Sequence, residues 1–200
     1  MKKIVFALVL SVLGTYSCWA LSAREVLDKC AAVVSSADGL QAAFTMQSAQ
    51  YGNSSGTIAV KGRKFHVTTP MATMWFDGTT QWTYLKKNEE VSVVNPTESQ
   101  LQTLNPYNFI NMYKQGYKYT MTTNTATHTV HLTATDGSRK IQEIFITIDK
   151  KNFHPSEIKI LQSKKWTVFQ LKDLKTVKLA DAEFRFNSKD FPPAEVLALR

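Results

Sequence analysis

The sequence predicts a mainly β (α+β) protein, built as a strongly curved antiparallel sheet or half-open β-barrel of about eleven strands, with an N-terminal helix and a helical lid. Three observations carry this expectation. Apolar residues alternate with polar ones along most of the chain from Leu40 onward. Turn residues interrupt that alternation often, as a meander of short strands requires. Helical spacing is confined to one stretch near the start and one near the middle.

The chain of 200 residues is about one domain in length. Residues 1–20, MKKIVFALVLSVLGTYSCWA, place Lys2 and Lys3 before an apolar run that closes on Cys18-Trp19-Ala20. This is the pattern of a signal peptide, too short and wrongly flanked for a membrane span. Residues 21–200 are then expected to form a single exported domain. Two readings of the cut stand: cleavage after Ala20, or lipidation of Cys18. Cleavage after Ala20 leaves Cys30 as the one thiol, so no internal disulfide can form and the core alone must hold the fold. It also lowers the formal charge from +8 to +6, spread over turn lysines such as Lys86-Lys87 and Lys164-Lys165.

Ser22-Ala23-Arg24-Glu25 is a capping box, and Val26, Leu27, Cys30, Val33 and Val34 follow at three- and four-residue spacing up to Asp38-Gly39. Leu40, Ala42, Phe44 and Met46 then alternate. Strands are expected at TIAVKG, KFHVTT, ATMWF, TQWTYL and EEVSVVN, separated by Asn53–Gly56, Gly62, Pro70, Asp77-Gly78 and Lys87–Glu89. Residues 97–116 interrupt the meander: Leu101, Leu104, Phe109, Ile110 and Tyr113 fall at helical spacing, and Asn105-Pro106 makes a cap and first-turn pair. Strands resume at YKYTMTT, THTVHLTAT, QEIFITID, SEIKILQS, WTVFQLKDLKTV and EFRFN. Pro192-Pro193 stops pairing, and AEVLALR reads as a short helix or a loose end.

No catalytic residue, metal ligand set or cofactor motif is expected. There is no G-x-S-x-G, Cys30 lies in an apolar stripe, and the carboxylates are scattered. His128 and His131 differ by three along a strand and so point to opposite faces. Trp82, Tyr84 and Lys86 alternate as a single-strand nucleic-acid binder would need, but the basic residues elsewhere are scattered, and no nucleic acid is expected as a partner.

The remaining signal is apolar. Phe65 and Val67, Met74 and Phe76, Trp82 and Tyr84, Val91 and Val93 share parity within their strands and are expected to line one sheet face. Ile144 and Ile146, Ile158 and Ile160, and Trp166 and Val168 extend it. The helices are too few to cover so many strands, so these residues are the candidate lining of a cavity for acyl chains.

The order of these elements, with GTIAVKGRKFHVTTP, FDGTTQWTYLKKNEEVSV, a helical insertion and EFRFN before prolines, resembles the outer-membrane lipoprotein carrier family LolA over residues 21–195. The resemblance implies a periplasmic, monomeric chaperone without enzymatic activity. It would bind lipoprotein acyl chains beneath a lid formed by Leu101, Leu104, Phe109, Ile110 and Tyr113. It would receive them from an inner-membrane lipoprotein-releasing transporter and pass them to an outer-membrane acceptor. The family's Arg-Pro lid latch is absent; Gly62-Arg63-Lys64 stands there, leaving Arg63 as the candidate latch, displaced by one residue. An anchored acceptor or lipid sensor, a carrier of another amphiphile, a cavity enzyme and a polyanion-binding module are the alternatives.

Overall fold

The computed structural model describes residues 21–97, 112–191 and 195–198. The expected signal segment lies outside them. Helix α1 (Ala23–Val34) is followed by β1 (Leu40–Ser48), β2 (Gly52–Lys61), β3 (Lys64–Thr68), β4 (Ala72–Phe76), β5 (Gln81–Leu85) and β6 (Glu90–Val94). After a 3-10 turn at Met112–Lys114 come β7 (Tyr117–Thr123), β8 (Thr127–Ala134), β9 (Ile141–Asp149), β10 (Pro155–Gln162) and β11 (Lys165–Thr176). Two further 3-10 turns, Asp181–Phe184 and Ser188–Asp190, precede β12 (Glu195–Ala198).

These strands form one unclosed, curved sheet in the order β12-β6-β5-β4-β3-β2-β1-β11-β10-β9-β8-β7. The first eleven strands pair antiparallel; β12 adds to β6 in parallel. Thus β6 and β7, successive in sequence, lie near opposite ends of the sheet. In β11, Asp173 at φ +53° marks a bulge where β1 advances from Gln41 to Ala43 while β11 moves from Lys175 to Lys172. Such a bulge sharpens local twist and helps a long sheet curl.

The capping box forms: Glu25 N donates to Ser22 Oγ at 3.3 Å and Ser22 N to Glu25 Oε2 at 2.8 Å. Helix α1 buries Val26, Leu27, Cys30, Ala31 and Val34 against Val130, Leu132, Ile144, Ile146, Ile148, Ile158 and Ile160. Each valine, leucine or isoleucine among them contributes about 1.5–3 kcal/mol when removed from water. Below, the face that carries α1 is the inner face.

The C-terminal part departs from expectation. EFRFN is no strand: Asp181–Phe184 is a 3-10 turn, and the segment 177–191 crosses the outer face of β2–β6 as a strap. Phe184 packs against Ala59 and Leu179, while Phe186 and Phe191 pack edge-on against Trp75 at 5.6 and 5.5 Å between centroids. Lys61 and Lys64 pair with Asp181 at 3.3 and 2.8 Å, and Arg185 with Asp77 at 2.9 Å. Aromatic burial on a finished sheet face, rather than strand pairing, accounts for the alternating Phe184 and Phe186. AEVLALR supplies β12 instead of a helix.

Asn53–Gly56, expected as a turn, lies inside β2. Polar residues occupy this strand because it extends beyond the short β3; Gly56 is needed where backbone approaches closely. A Cβ there would sit 1.9 Å from the Thr68 carbonyl oxygen.

Candidate functional site

Register decides which side chains share the inner face. Phe65 pairs with Phe76 and Val67 with Met74, so these four share a face. The turn from β4 to β5 has four residues, so Phe76 faces Gln81 and Trp75 faces Trp82. A turn of even length opposes residues of unlike parity, and the expected single face divides there. Phe65, Val67, Met74 and Phe76 lie on the inner face. Trp82, Tyr84, Val91 and Val93 lie on the outer face, in one cluster with Trp75, Phe186 and Phe191. Tyr84 and Phe191 are 4.7 Å apart between ring centroids. Trp82 therefore looks toward the strap, away from the helix side.

In the second half, Ile144, Ile146, Ile158 and Ile160 do lie on the inner face but are sealed beneath α1, at most 5% exposed. Trp166 and Val168 belong to the outer face, opposite Leu161 and Lys159. Their neighbours Thr167 and Phe169 turn inward instead.

What remains open on the inner face runs through the middle of the sheet. Phe44, Met46, Val67, Met74, Phe169 and Leu171 are half-buried, between the core under α1 and the buried pair Phe65 and Phe76. One cross-strand row joins Met46 and Phe169 to Ile158, Ile146 and Val130, which α1 covers, and ends at Met121. No side chain in this row is charged. The polarizable, half-buried Met46 and Met74 suit a surface that must accommodate flexible chains. Phe44, Met46, Phe169 and Leu171 were missed as site residues, although the alternation of β1 already pointed Phe44 and Met46 to the face of Ala42.

The lid residues Leu101, Leu104, Phe109 and Ile110 lie outside the described residues. Tyr113 is buried under α1, and its hydroxyl donates to Asp28 Oδ1. Burial and this bond push its phenol well above the usual range. Arg63 sits exposed in the β2–β3 turn beside Gly62, whose φ is +57°.

Among the described residues, titratable groups do not converge on the open stretch. Burial pushes the Cys30 thiol up to about 12, so it stays protonated and unreactive. His128 faces inward with Nδ1 at 2.9 Å from Thr123 Oγ1, while His131 faces outward, stacked on Phe145 and 2.8 Å from Glu143. Among the described residues, no group of three His, Cys, Asp or Glu side chains could hold a metal ion. No described helix is long and apolar enough to cross a membrane.

The half-buried apolar stretch of the inner face, on an open sheet that carries one helix among the described residues, agrees with the sequence relationship. The family model described as outer membrane lipoprotein carrier protein LolA matches residues 13–164. The chain belongs to the LolA family. This match ends at the β10–β11 turn, before the outer strap. No curated protein matches the sequence. The fold is similar to that of an uncharacterized conserved protein from Thermus thermophilus: 14% identity, TM-score 0.60, covering 88% of this chain and 99% of that one. A LolA superfamily protein from Nitrosomonas europaea is 14% identical, with TM-score 0.46 and coverage of 84% and 99%. A putative outer membrane lipoprotein-sorting protein domain from Vibrio parahaemolyticus is 13% identical, with TM-score 0.45 and coverage of 80% and 95%.

Proposed function

We propose that this protein is a single-domain, monomeric carrier in the periplasm that holds the acyl chains of lipoproteins on the inner face of its sheet. It would receive them from an inner-membrane releasing transporter and hand them to an outer-membrane acceptor. The observation that carries this reading is the half-buried, uncharged apolar stretch of Phe44, Met46, Val67, Met74, Phe169 and Leu171 on the inner face. Apolar surface left without protein to bury it marks a ligand or partner site. The contacts are aliphatic, aromatic and thioether, with few directional bonds, which favours chains of varied length and allows release. Membership of the LolA family supports the same reading. Arg63 as a latch and 97–116 as a lid remain parts of the proposal.

The test is native mass spectrometry of the mature protein purified from its own periplasm without detergent, beside Phe44→Asp and Trp82→Ala. A bound acyl-bearing species that persists in Trp82→Ala and disappears in Phe44→Asp supports the carrier and its inner site. Loss in Trp82→Ala alone would move the site to the outer face and defeat the assignment.

A further inference from the structure

On the inner face at β5 the apolar surface gives way to a short polar row. Gln81 stands opposite Phe76 on one side and Val94 on the other, and Thr83 stands opposite Met74 and Ser92. Gln81 is only 6% exposed. Its Nε2 donates to Thr83 Oγ1 at 3.3 Å, but its Oε1 has no hydrogen-bond partner within the protein and is the one such buried side-chain atom among the described residues. Native proteins pair nearly all buried polar atoms, because an acceptor taken out of water without a donor is costly. A leucine or methionine would fill this position without that cost, so the glutamine calls for a donor that the protein itself does not supply.

We propose that Gln81 is a polar anchor that accepts a hydrogen bond from the amide N–H of an N-acyl group on the carried molecule. The inference rests on the acyl-carrier reading and adds to it the linkage the site recognises. Register places Gln81 and Thr83 directly beside Phe76 and Met74, so a ligand whose chain lies over the apolar inner face brings the root of that chain to the polar row. An acyl amide offers an N–H for Gln81 Oε1 and a carbonyl for the Thr83 hydroxyl, whose oxygen already accepts from Gln81. An acyl ester offers the carbonyl and no donor, and leaves Oε1 unpaired. An amide is also the harder of the two to take out of water, so a purely apolar surface favours the ester. Preference for the amide therefore reports a built acceptor.

The experiment uses the mature protein and two neutral probes that differ in one atom: N-palmitoylglycine methyl ester, and the depsi analogue in which the amide N–H is replaced by oxygen. Titration calorimetry compares them on the parent, Gln81→Leu and Gln81→Met, two variants so that a folding defect in one does not decide the outcome. The parent is expected to bind the amide about tenfold more tightly than the ester, the yield of one well-made bond. Both variants are expected to lose or invert that preference while keeping their hold on the ester. Their ligand-free melting temperatures should be no lower than the parent's, since the substitution removes an unpaired acceptor. Equal binding of amide and ester by the parent, or an amide preference that survives in both variants, overturns the anchor alone. Failure of the parent to bind either probe overturns the carrier reading and the anchor with it.

Discussion

Truncating Phe184 to alanine tests whether the outer face is structural. Phe184 has no exposed surface and packs with Ala59 and Leu179 beneath the strap. Losing a fully buried phenylalanine costs about 3–5 kcal/mol, a large part of the ordinary 5–15 kcal/mol of net stability. At about 2–4 °C per kcal/mol for a domain of this size, the melting temperature should fall by about 6–20 °C. The ion pairs of the strap are too exposed to hold it unaided: the Arg185 and Asp181 side chains are 66% and 65% exposed. With Phe184 gone, Phe186 and Phe191 should loosen from Trp75, and tryptophan emission should shift to the red below the main transition. The assay is thermal melting followed by emission and far-ultraviolet dichroism, with acyl-probe affinity measured well below the transition. Affinity should match the parent's, because the inner face is untouched. A fall of less than about 2 °C would show that the strap contributes little; loss of probe binding by the folded variant would show that the two faces are not separate in function.

Two further outcomes follow from the structure. Gly56→Ala drives a Cβ into the Thr68 carbonyl oxygen at 1.9 Å and toward Phe44 Cε1 at 3.2 Å, so β2 and β3 must separate. It should cost at least the 1–3 kcal/mol typical of overpacking, with an unchanged denaturant midpoint contradicting the close approach. Stability should also fall as pH drops through the window below about 6.5. Burial lowers the His66 value, opposed by the Glu183 charge, and burial with the Lys150 charge lowers that of His128. Their folded values lie below the unfolded one, so the unfolded chain binds more protons across that window and protonation favours unfolding. The double variant His66→Gln, His128→Gln should flatten this limb between pH 7 and 5; a parent whose denaturant stability is constant over that range would contradict it.

Much of the architecture was legible because it is local. The Ser22–Glu25 box and the 3.6-residue stripe of α1 declare themselves within one turn, and period two declares a strand whatever its neighbours. A face shared by neighbouring strands was legible where the turn was short and its residues unambiguous, as for Phe65 and Phe76. The division of the apolar residues between two faces was not. Parity is inherited across each turn, so four residues between Phe76 and Gln81, in place of an odd number, carried Trp82, Tyr84, Val91 and Val93 to the outer face. A propensity cannot count that loop. The polar Asn53–Ser55, read as turn residues, are strand because β1 pairs with them in register, a long-range contact that overrides local preference.

By itself the sequence determined the helix, the strand-rich antiparallel class, the apolar surplus and the likeness to lipoprotein carriers, since these depend on composition, periodicity and order. Tertiary structure alone decided three things. It closed Ile144, Ile146, Ile158 and Ile160 under α1, laid Phe184, Phe186 and Phe191 over the outer aromatic residues, and left Phe44, Met46, Phe169 and Leu171 half-open. A side chain's hydrophobicity says that it prefers to leave water; which surface receives it depends on contacts between residues more than a hundred positions apart, such as Met46 with Phe169.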